Sequence, residues 1–303
     1  MSDARCFGQD LMRGEYIVGG GGMDAPAKVR LAPGGGGAWL GGPRTESSDK
    51  FARPGLTWVG GDRDVDDLDE VSRKILAASS SGTSIFDPVV CELAYRWFSP
   101  PTGVVLDPFA GGSVRGIVAE RLGRKYTGFE LRAEQVAANR EQAARICVAP
   151  PVWIVGDSAA AIPAWDGEAD FVFSCPPYGN LEVYSDDPSD LSAMPFAGFV
   201  DAYRTIIAAS VAKLRPDRFA CFVVGNYRDK RGFYCDLVGE TVRAFQDAGA
   251  GFYNEAVLVT AVGSLPIRVG KQFTAARKLG KTHQNVLVFC KGDPKRATQA
   301  CAA

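Results

Sequence analysis

The chain has 303 residues, 46 % of them hydrophobic and 23 % charged, a balance that buries a sizeable core and argues against a disordered or fibrous protein. A formal net charge of −1 supplies no overall field for nucleic acid, so any such attraction must come from a local patch. The eight cysteines form no CxxC pair and no Cys/His ligand spacing, which predicts reduced thiols in the core and no metal. No apolar stretch approaches the ~20 residues of a membrane helix and no signal peptide opens the chain, so a cytoplasmic protein is expected.

Residues 1–63 carry two runs of four glycines, Gly19–Gly22 and Gly34–Gly37, and little hydrophobic periodicity. Ordering such a segment costs more chain entropy than its burial returns, which predicts a flexible leader with at most short strands at 16–18 and 56–59. One domain is expected over 64–293 and a disordered tail over 294–303. Asp66 is placed to cap a helix with Leu68, Val71 and Ile75 on one face. Asp87-Pro88 is an N-cap with a first-turn proline, opening a helix that Pro100-Pro101 ends. Strands are then predicted at 104–107, 126–130, 152–155, 171–174 and 219–224, with helices at 114–122, 133–146, 196–214 and 235–248. The last two strands, 254–262 and 285–291, have no helix between them and should pair antiparallel at one edge. The fold class is α/β: a doubly wound, mostly parallel seven-stranded sheet with an antiparallel last strand.

In such a sheet ligands bind at the carboxyl ends of the strands. The first strand ends in Asp107-Pro108-Phe109-Ala110-Gly111-Gly112-Ser113, whose small residues let backbone amides approach a ligand. The next two strands end in Glu130 and Asp157, so three consecutive strand ends deliver an acid to one edge. The second acid can accept both ribose hydroxyls of an adenosine, and the third can accept from the adenine amino group. The first can hold the ammonium of a methionine moiety, directly or through its loop. A nicotinamide cofactor is disfavoured: the G-x-G-x-x-G places hold Gly111, Ser113 and Gly116, and a pyrophosphate there would meet Asp107.

The fourth strand breaks into Cys175-Pro176-Pro177-Tyr178. The double proline fixes the backbone and removes two amide donors, so the chain presents carbonyls, and the aromatic can stack on a planar substrate. Together the two stretches resemble the DNA amino-methyltransferases, the N4-cytosine/N6-adenine type of bacterial and phage modification methylases. Their signature pairs DPFAGSG at the first strand with (Asp/Asn/Ser)-Pro-Pro-(Tyr/Phe/Trp) at the fourth. Asp107–Ser113 matches the first, with Gly112-Ser113 in place of Ser-Gly, and Pro176, Pro177 and Tyr178 match the second. Glu130 and Asp157 fall where the family places its ribose and adenine acceptors. The stretch 84–88, with Phe86, looks like the segment that closes over the methionine end of the cofactor, and 281–291 looks like the last strand. The resemblance spans 83–293. It implies S-adenosylmethionine as cofactor, held by Phe86, Asp107, Phe109, Gly111, Gly112, Ser113, Glu130 and Asp157. It implies as substrate a DNA base flipped out of the duplex, handled by Cys175, Pro176, Pro177 and Tyr178, with Tyr178 as stacking partner.

The departure from the family is Cys175, a poor acceptor where an oxygen is the rule. Two routes stay open. In one, the Pro176 carbonyl and Ser174 hold the amine, and the exocyclic nitrogen takes the methyl group. In the other, the Cys175 thiolate adds to carbon 6 of cytosine and carbon 5 takes the methyl, with Asn226, Arg228 and Asp229 as nearby donors or acids. Both favour cytosine. Positive charge for phosphates gathers between Leu265 and His283, where Arg268, Lys271, Arg277, Lys278 and Lys281 occur without an acid, and Gly270 and Gly280 predict a loop. His283 is read as a hydrogen-bonding residue, and the acidic stretch Glu182, Asp186, Asp187 and Asp190 as a flap packed on the protein. Fewer than 70 residues separate Asp107 from Cys175, too few for an inserted recognition module, so target recognition falls to the 226–283 loops or the leader. The competing readings are an RNA methyltransferase and a cofactor- or DNA-binding protein without catalysis.

Overall fold

A computed structural model describes residues 86–179, 185, 187–259 and 265–302. The leader, its two short strands, the helix expected from Asp66, and Ser84 lie outside the described residues. In chain order the elements are α1 (Pro88–Phe98), β1 (Val104–Asp107), α2 (Val114–Arg121), β2 (Lys125–Glu130), α3 (Ala133–Ile146), β3 (Val152–Val155), α4 (Ser158–Ala164) and β4 (Ala169–Ser174). A 3-10 turn (Leu191–Ala193) leads into α5 (Phe196–Lys213), β5 (Leu214–Val224), β6 (Tyr227–Arg228), β7 (Tyr234–Cys235), α6 (Leu237–Asp247) and β8 (Gly251–Val259). The chain ends with α7 (Leu265–Ala276), β9 (His283–Lys291) and α8 (Pro294–Ala302).

Seven strands form one sheet in the order β3-β2-β1-β4-β5-β9-β8, and β6 and β7 form a separate two-stranded ribbon. The first five are parallel to their neighbours, while β9 runs antiparallel between β5 and β8. This is the doubly wound sheet expected from the alternation of strands and helices. The period of two sorts the strand residues onto two covered faces. Val105, Phe171, Phe173 and Cys221 join Tyr95, Ile117 and Val136 of α1, α2 and α3. Leu106, Val172, Ala220 and Phe222 join Ile162, Phe199, Tyr203 and Phe245 of α4, α5 and α6. On that second face Phe245 stacks 4.0 Å from Phe289 and meets Phe222 edge-on at 4.9 Å. Full burial of each such ring contributes roughly 1.5–3 kcal/mol. The described cysteines are free, and Cys91, Cys221, Cys235 and Cys290 are buried.

The first helix begins as its residues dictate: Asp87 accepts the Val89 amide at 2.8 Å and Pro88 takes the first helical position. Besides the ribbon of β6 and β7, three elements depart from the sequence reading. A short helix, α4, follows β3, capped by Asp157, which accepts the Ala159 amide at 2.9 Å. The basic stretch after β8 is in large part the helix α7 rather than a loop. Gly270 lies inside it at an exposed position, where glycine costs only about 1 kcal/mol relative to alanine. The helix stops at Arg277, whose φ of 53° turns the chain left-handed while its amide reaches the Phe273 carbonyl at 2.8 Å; Gly280 stays in a loop. Lastly, 294–302 is the helix α8 and not a disordered tail. Asp293 accepts the amides of Lys295 and Arg296 at 2.8 and 2.9 Å, and Ala297 is buried in the core. Among the described residues no helix is long and apolar enough to cross a membrane, and no cluster of His, Cys, Asp and Glu is placed to hold a metal.

Candidate active site

β1 and β4 are neighbours at the point where the strand order reverses, and their carboxyl ends open the crevice that binds ligands in such sheets. Asp107 closes β1. Its carboxylate is fully buried and accepts four hydrogen bonds, two on each oxygen. Arg115 Nε at 2.6 Å and the Tyr126 hydroxyl at 2.8 Å donate to Oδ2, and the Ser174 hydroxyl at 2.5 Å and the Phe109 amide at 3.1 Å donate to Oδ1. Arg115 also donates to the Phe109 and Ala110 carbonyls at 2.5 and 2.9 Å, and its guanidinium carbon lies 4.9 Å from the centroid of the Phe86 ring. With both oxygens taken, Asp107 has no acceptor site aimed outward and instead anchors the loop that follows it.

In that loop Gly111 adopts φ +50°, a left-handed conformation that favours glycine. Its amide donates to Glu130 Oε2 at 3.0 Å and its carbonyl accepts from Asn139 Nδ2 at 2.7 Å. A Cβ on Gly111 or Gly112 would meet nothing within 4 Å, so bare backbone faces open space here. Ser113 is buried, and its hydroxyl donates to Gln142 of α3. The Phe109 ring likewise turns inward, 5.8 Å from Tyr203 and 6.2 Å from Phe222. Half-buried Phe86 packs edge-on against Phe173 at 5.7 Å.

Glu130 ends β2, and its Oε1 accepts the Arg132 amide at 3.0 Å. Burial raises its pKa above the ordinary value, offset in part by the Arg132 amide and guanidinium and by the Gly111 amide. Each oxygen holds one such bond and keeps room for another, the requirement for accepting a pair of vicinal hydroxyls. Asp157 ends the β3 segment with one oxygen on the α4 cap. Two half-buried carboxylates flanking a bare glycine loop fit the ribose and adenine of S-adenosylmethionine, with Glu130, Asp157, Gly111 and Gly112 as the residues that would hold it.

Cys175, Pro176, Pro177 and Tyr178 follow β4 at the same edge. The Cys175 sulfur lies 3.7 Å from the Tyr178 hydroxyl. Burial pushes its thiol pKa up, while the Arg115 charge and the Tyr178 hydroxyl pull it part of the way back. Ser174 is fully buried and committed to Asp107 and the Phe109 amide, so it does not reach a substrate amine as the sequence suggested. Gly179 has φ +53°, and the Tyr227 ring occupies the space that a side chain there would need.

The basic residues divide. Arg268 lies in α7, and Lys271 is exposed on it. The Arg277 guanidinium covers the Phe273 ring at 5.0 Å. Lys278 packs against Gly232, between β6 and β7. Lys281 is different: it is half-buried, and burial lowers its pKa. Its Nζ and Tyr178 Cε1 lie 3.4 and 3.8 Å from the point where a Cβ on Gly225 would stand. It therefore stands beside Tyr178 and Gly225 rather than on the outer surface with Lys271. His283 is exposed at the start of β9. Of the acidic flap, Asp190 is buried and accepts from the Ser185 hydroxyl and the Ser192 amide and hydroxyl at 2.6–2.9 Å.

The sequence reading missed Arg115, Tyr126, Asn139 and Gln142, which brace Asp107 and the loop after it. The available signal was the arginine in Val114-Arg115-Gly116-Ile117-Val118, a charge in an otherwise apolar helix start that requires a buried partner.

A DNA methylase family model matches residues 92–141, which include α2, β2 and the loop just described. No curated protein matches the chain. Among solved structures, TrmN from Thermus thermophilus is similar at 17 % identity and a TM-score of 0.47, over 73 % of this chain and 53 % of its own, so the chain spans about half of that protein's length. A TehB-like SAM-dependent methyltransferase from Corynebacterium glutamicum is similar at 15 % identity over 73 % of this chain and 96 % of its own, with a TM-score of 0.42. Magnesium protoporphyrin IX methyltransferase from Synechocystis shows 11 % identity over 73 % and 81 %, with a TM-score of 0.42.

Proposed function

We propose that this chain is an S-adenosylmethionine-dependent methyltransferase whose substrate is a cytosine flipped out of DNA, and that the exocyclic amine takes the methyl group. The observation that carries the reading is the shared edge. The glycine loop with Glu130 and Asp157 occupies the ends of β1 to β3, and Cys175-Pro176-Pro177-Tyr178 leaves the adjacent β4. When bound, the cofactor supplies an electrophilic methyl group on a sulfonium centre. Glu130 and Asp157 hold the adenosine, and the loop braced by Asp107 and Arg115 shapes the methionine end. Tyr178 stacks on the flipped base, and the carbonyl of rigid Pro176 accepts one amine hydrogen, which turns the nitrogen lone pair toward the methyl group. With the cofactor bound, that nitrogen would be aimed at the sulfonium-borne methyl group, and the amine's surplus proton would leave to solvent.

The raised thiol pKa of Cys175 supports the amine over carbon 5, since a nucleophilic route needs the thiolate. The Arg115 charge beside that thiol favours the second reading, in which Cys175 adds to carbon 6 and carbon 5 is methylated. Incubation with methyl-labelled cofactor and duplex DNA, duplex RNA or no nucleic acid, followed by mass spectrometry of the nucleosides, tests the proposal. N4-methylcytosine in the DNA is the expected product. Label only in RNA would make the protein an RNA methyltransferase, and no transfer to either would leave a binding protein without catalysis.

A further inference from the structure

The ribbon of β6 and β7 has no counterpart in the sequence reading and stands at the mouth of the proposed base pocket. Tyr227, its first residue, packs against Gly179, immediately after Tyr178. The connecting turn is tight: the Asp229 amide donates to the Phe233 carbonyl at 2.8 Å, and the Asp229 side chain accepts the Phe233 amide at 2.9 Å. Arg228 stiffens the ribbon, with its guanidinium 4.0 Å from the Tyr234 ring centroid and a 2.8 Å bond to the Gly232 carbonyl.

What the turn presents outward is positive charge beside apolar rings. The side chain of Arg231 is 81 % exposed, Phe233 is 69 % and Tyr234 48 % exposed, and Lys230 also faces solvent. The one acid, Asp229, is committed to closing the turn. Its 3.2 Å pair with Arg231 is a surface ion pair, worth about 0–1 kcal/mol and readily exchanged for a phosphate. Lys278 reaches the same turn from the segment after α7. Each ring meets a guanidinium, Arg228 on Tyr234 and Arg231 5.7 Å from the Phe233 centroid, and both leave much of their apolar surface in water. Basic side chains interleaved with aromatic ones match a polyanion that also offers flat, stackable groups.

We propose that the β6–β7 ribbon enters a groove of the DNA duplex beside the flipped base, with Lys230 and Arg231 on phosphates and Phe233 against the exposed base pairs. The major groove, about 12 Å wide, admits a two-stranded ribbon. This assignment rests on the reading of DNA as the substrate, and supplies the recognition element that 107–175 has no room to insert.

The test compares the wild type with the double variant Arg231→Ser/Phe233→Ser and the single variant Lys230→Glu. Binding to a duplex DNA and to a duplex RNA is followed by fluorescence anisotropy over a salt series. Methyl transfer is measured on duplex and single-stranded DNA of one sequence, and cofactor affinity by calorimetry reports the fold. The double variant should lose about tenfold or more in duplex-DNA affinity, and its log–log salt slope should fall by roughly 0.9, the change expected when one phosphate is no longer neutralised. Cofactor affinity and transfer to single-stranded DNA should stay at wild-type level. Lys230→Glu, at an exposed position that cannot disturb packing, should weaken duplex binding in the same direction. A wild type that methylates DNA, with variants of undiminished duplex affinity and slope, overturns the ribbon assignment and leaves the methyltransferase reading standing. A wild type that neither binds nor methylates DNA overturns both. Variants that lose affinity only for duplex RNA overturn the DNA assignment in favour of RNA.

Discussion

Arg115 Nε stands 2.6 Å from Asp107 Oδ2, with the two side chains only 6 % and 0 % exposed. Such a pair adds little net stability over an apolar equivalent, but removing one partner strands a buried charge at a cost of ~3–5 kcal/mol. Arg115→Ala should therefore lower the unfolding free energy by about that amount in a urea titration. A loss below about 1 kcal/mol would mean that water or a rearranged loop takes over the Asp107 carboxylate.

Glu130→Gln should weaken binding of S-adenosylmethionine roughly tenfold or more, because a hydrogen bond to a charged group is worth ~1.5–3 kcal/mol. The pH dependence has a definite sign. Burial raises the pKa of Glu130, and only the ionised carboxylate accepts on both oxygens without a proton of its own. Cofactor affinity should be full above that raised pKa and lost as pH falls through it, starting above the ordinary glutamate range. The Gln variant should not show this titration. Calorimetry across the acidic range checks both points, and identical curves for the two proteins would remove Glu130 from the site.

Lys278 and Lys281 should separate under salt. Lys278→Ala, on the outer loop, should flatten the log–log salt dependence of DNA binding by roughly 0.9 and leave turnover at saturating DNA unchanged. Lys281→Met, beside Tyr178 and Gly225, should lower kcat by more than it changes the slope. Equal slopes and equal turnover for both variants would place both lysines on a solvated surface.

For Cys175 the amine route and the carbon-5 route give opposite signs. On the amine route, Cys175→Ser restores an oxygen that can accept from the substrate amine and should keep or raise turnover. DNA carrying 5-fluorocytosine should then form no covalent complex with the wild type. An inactive Cys175→Ser variant together with a trapped wild-type adduct would move the methyl group to carbon 5.

Much of the sheet is legible in the sequence because its strands are short apolar runs that end in acids or prolines, and burial on both faces demands such runs. Phe171 to Ser174 and Phe219 to Val224 were legible for this reason, although the two strands begin earlier, at Ala169 and Leu214. The ribbon escaped because Tyr227-Arg228 and Tyr234-Cys235 are two residues each, too short for a period of two to be seen. The helix α7 was hidden by Gly270, whose penalty its exposed position keeps small. The helix α8 packs only Ala297 and, in part, Cys301 against the core, too little for a hydrophobic stripe to announce it. At the site, the acids at the ends of β1 to β3 were visible as residue types at strand ends. That Asp107 faces inward and Ser174 is bound to it follows only from four donors converging on one carboxylate, three of them from β4, α2 and β2.

The hydroxyl of Ser174 ties the strand that carries Cys175-Pro176-Pro177-Tyr178 to Asp107 Oδ1 and to the amide of Phe109 in the glycine loop. The two subsites of the proposed function are thus tied together through one buried hydroxyl. Free energy exchanged across such a joint is reciprocal: whatever factor one ligand adds to the affinity of the second, the second returns to the first. Order in one loop is entropy already given up for the other. On the proposed function, cofactor and base would each change the other's affinity by one common factor through this joint.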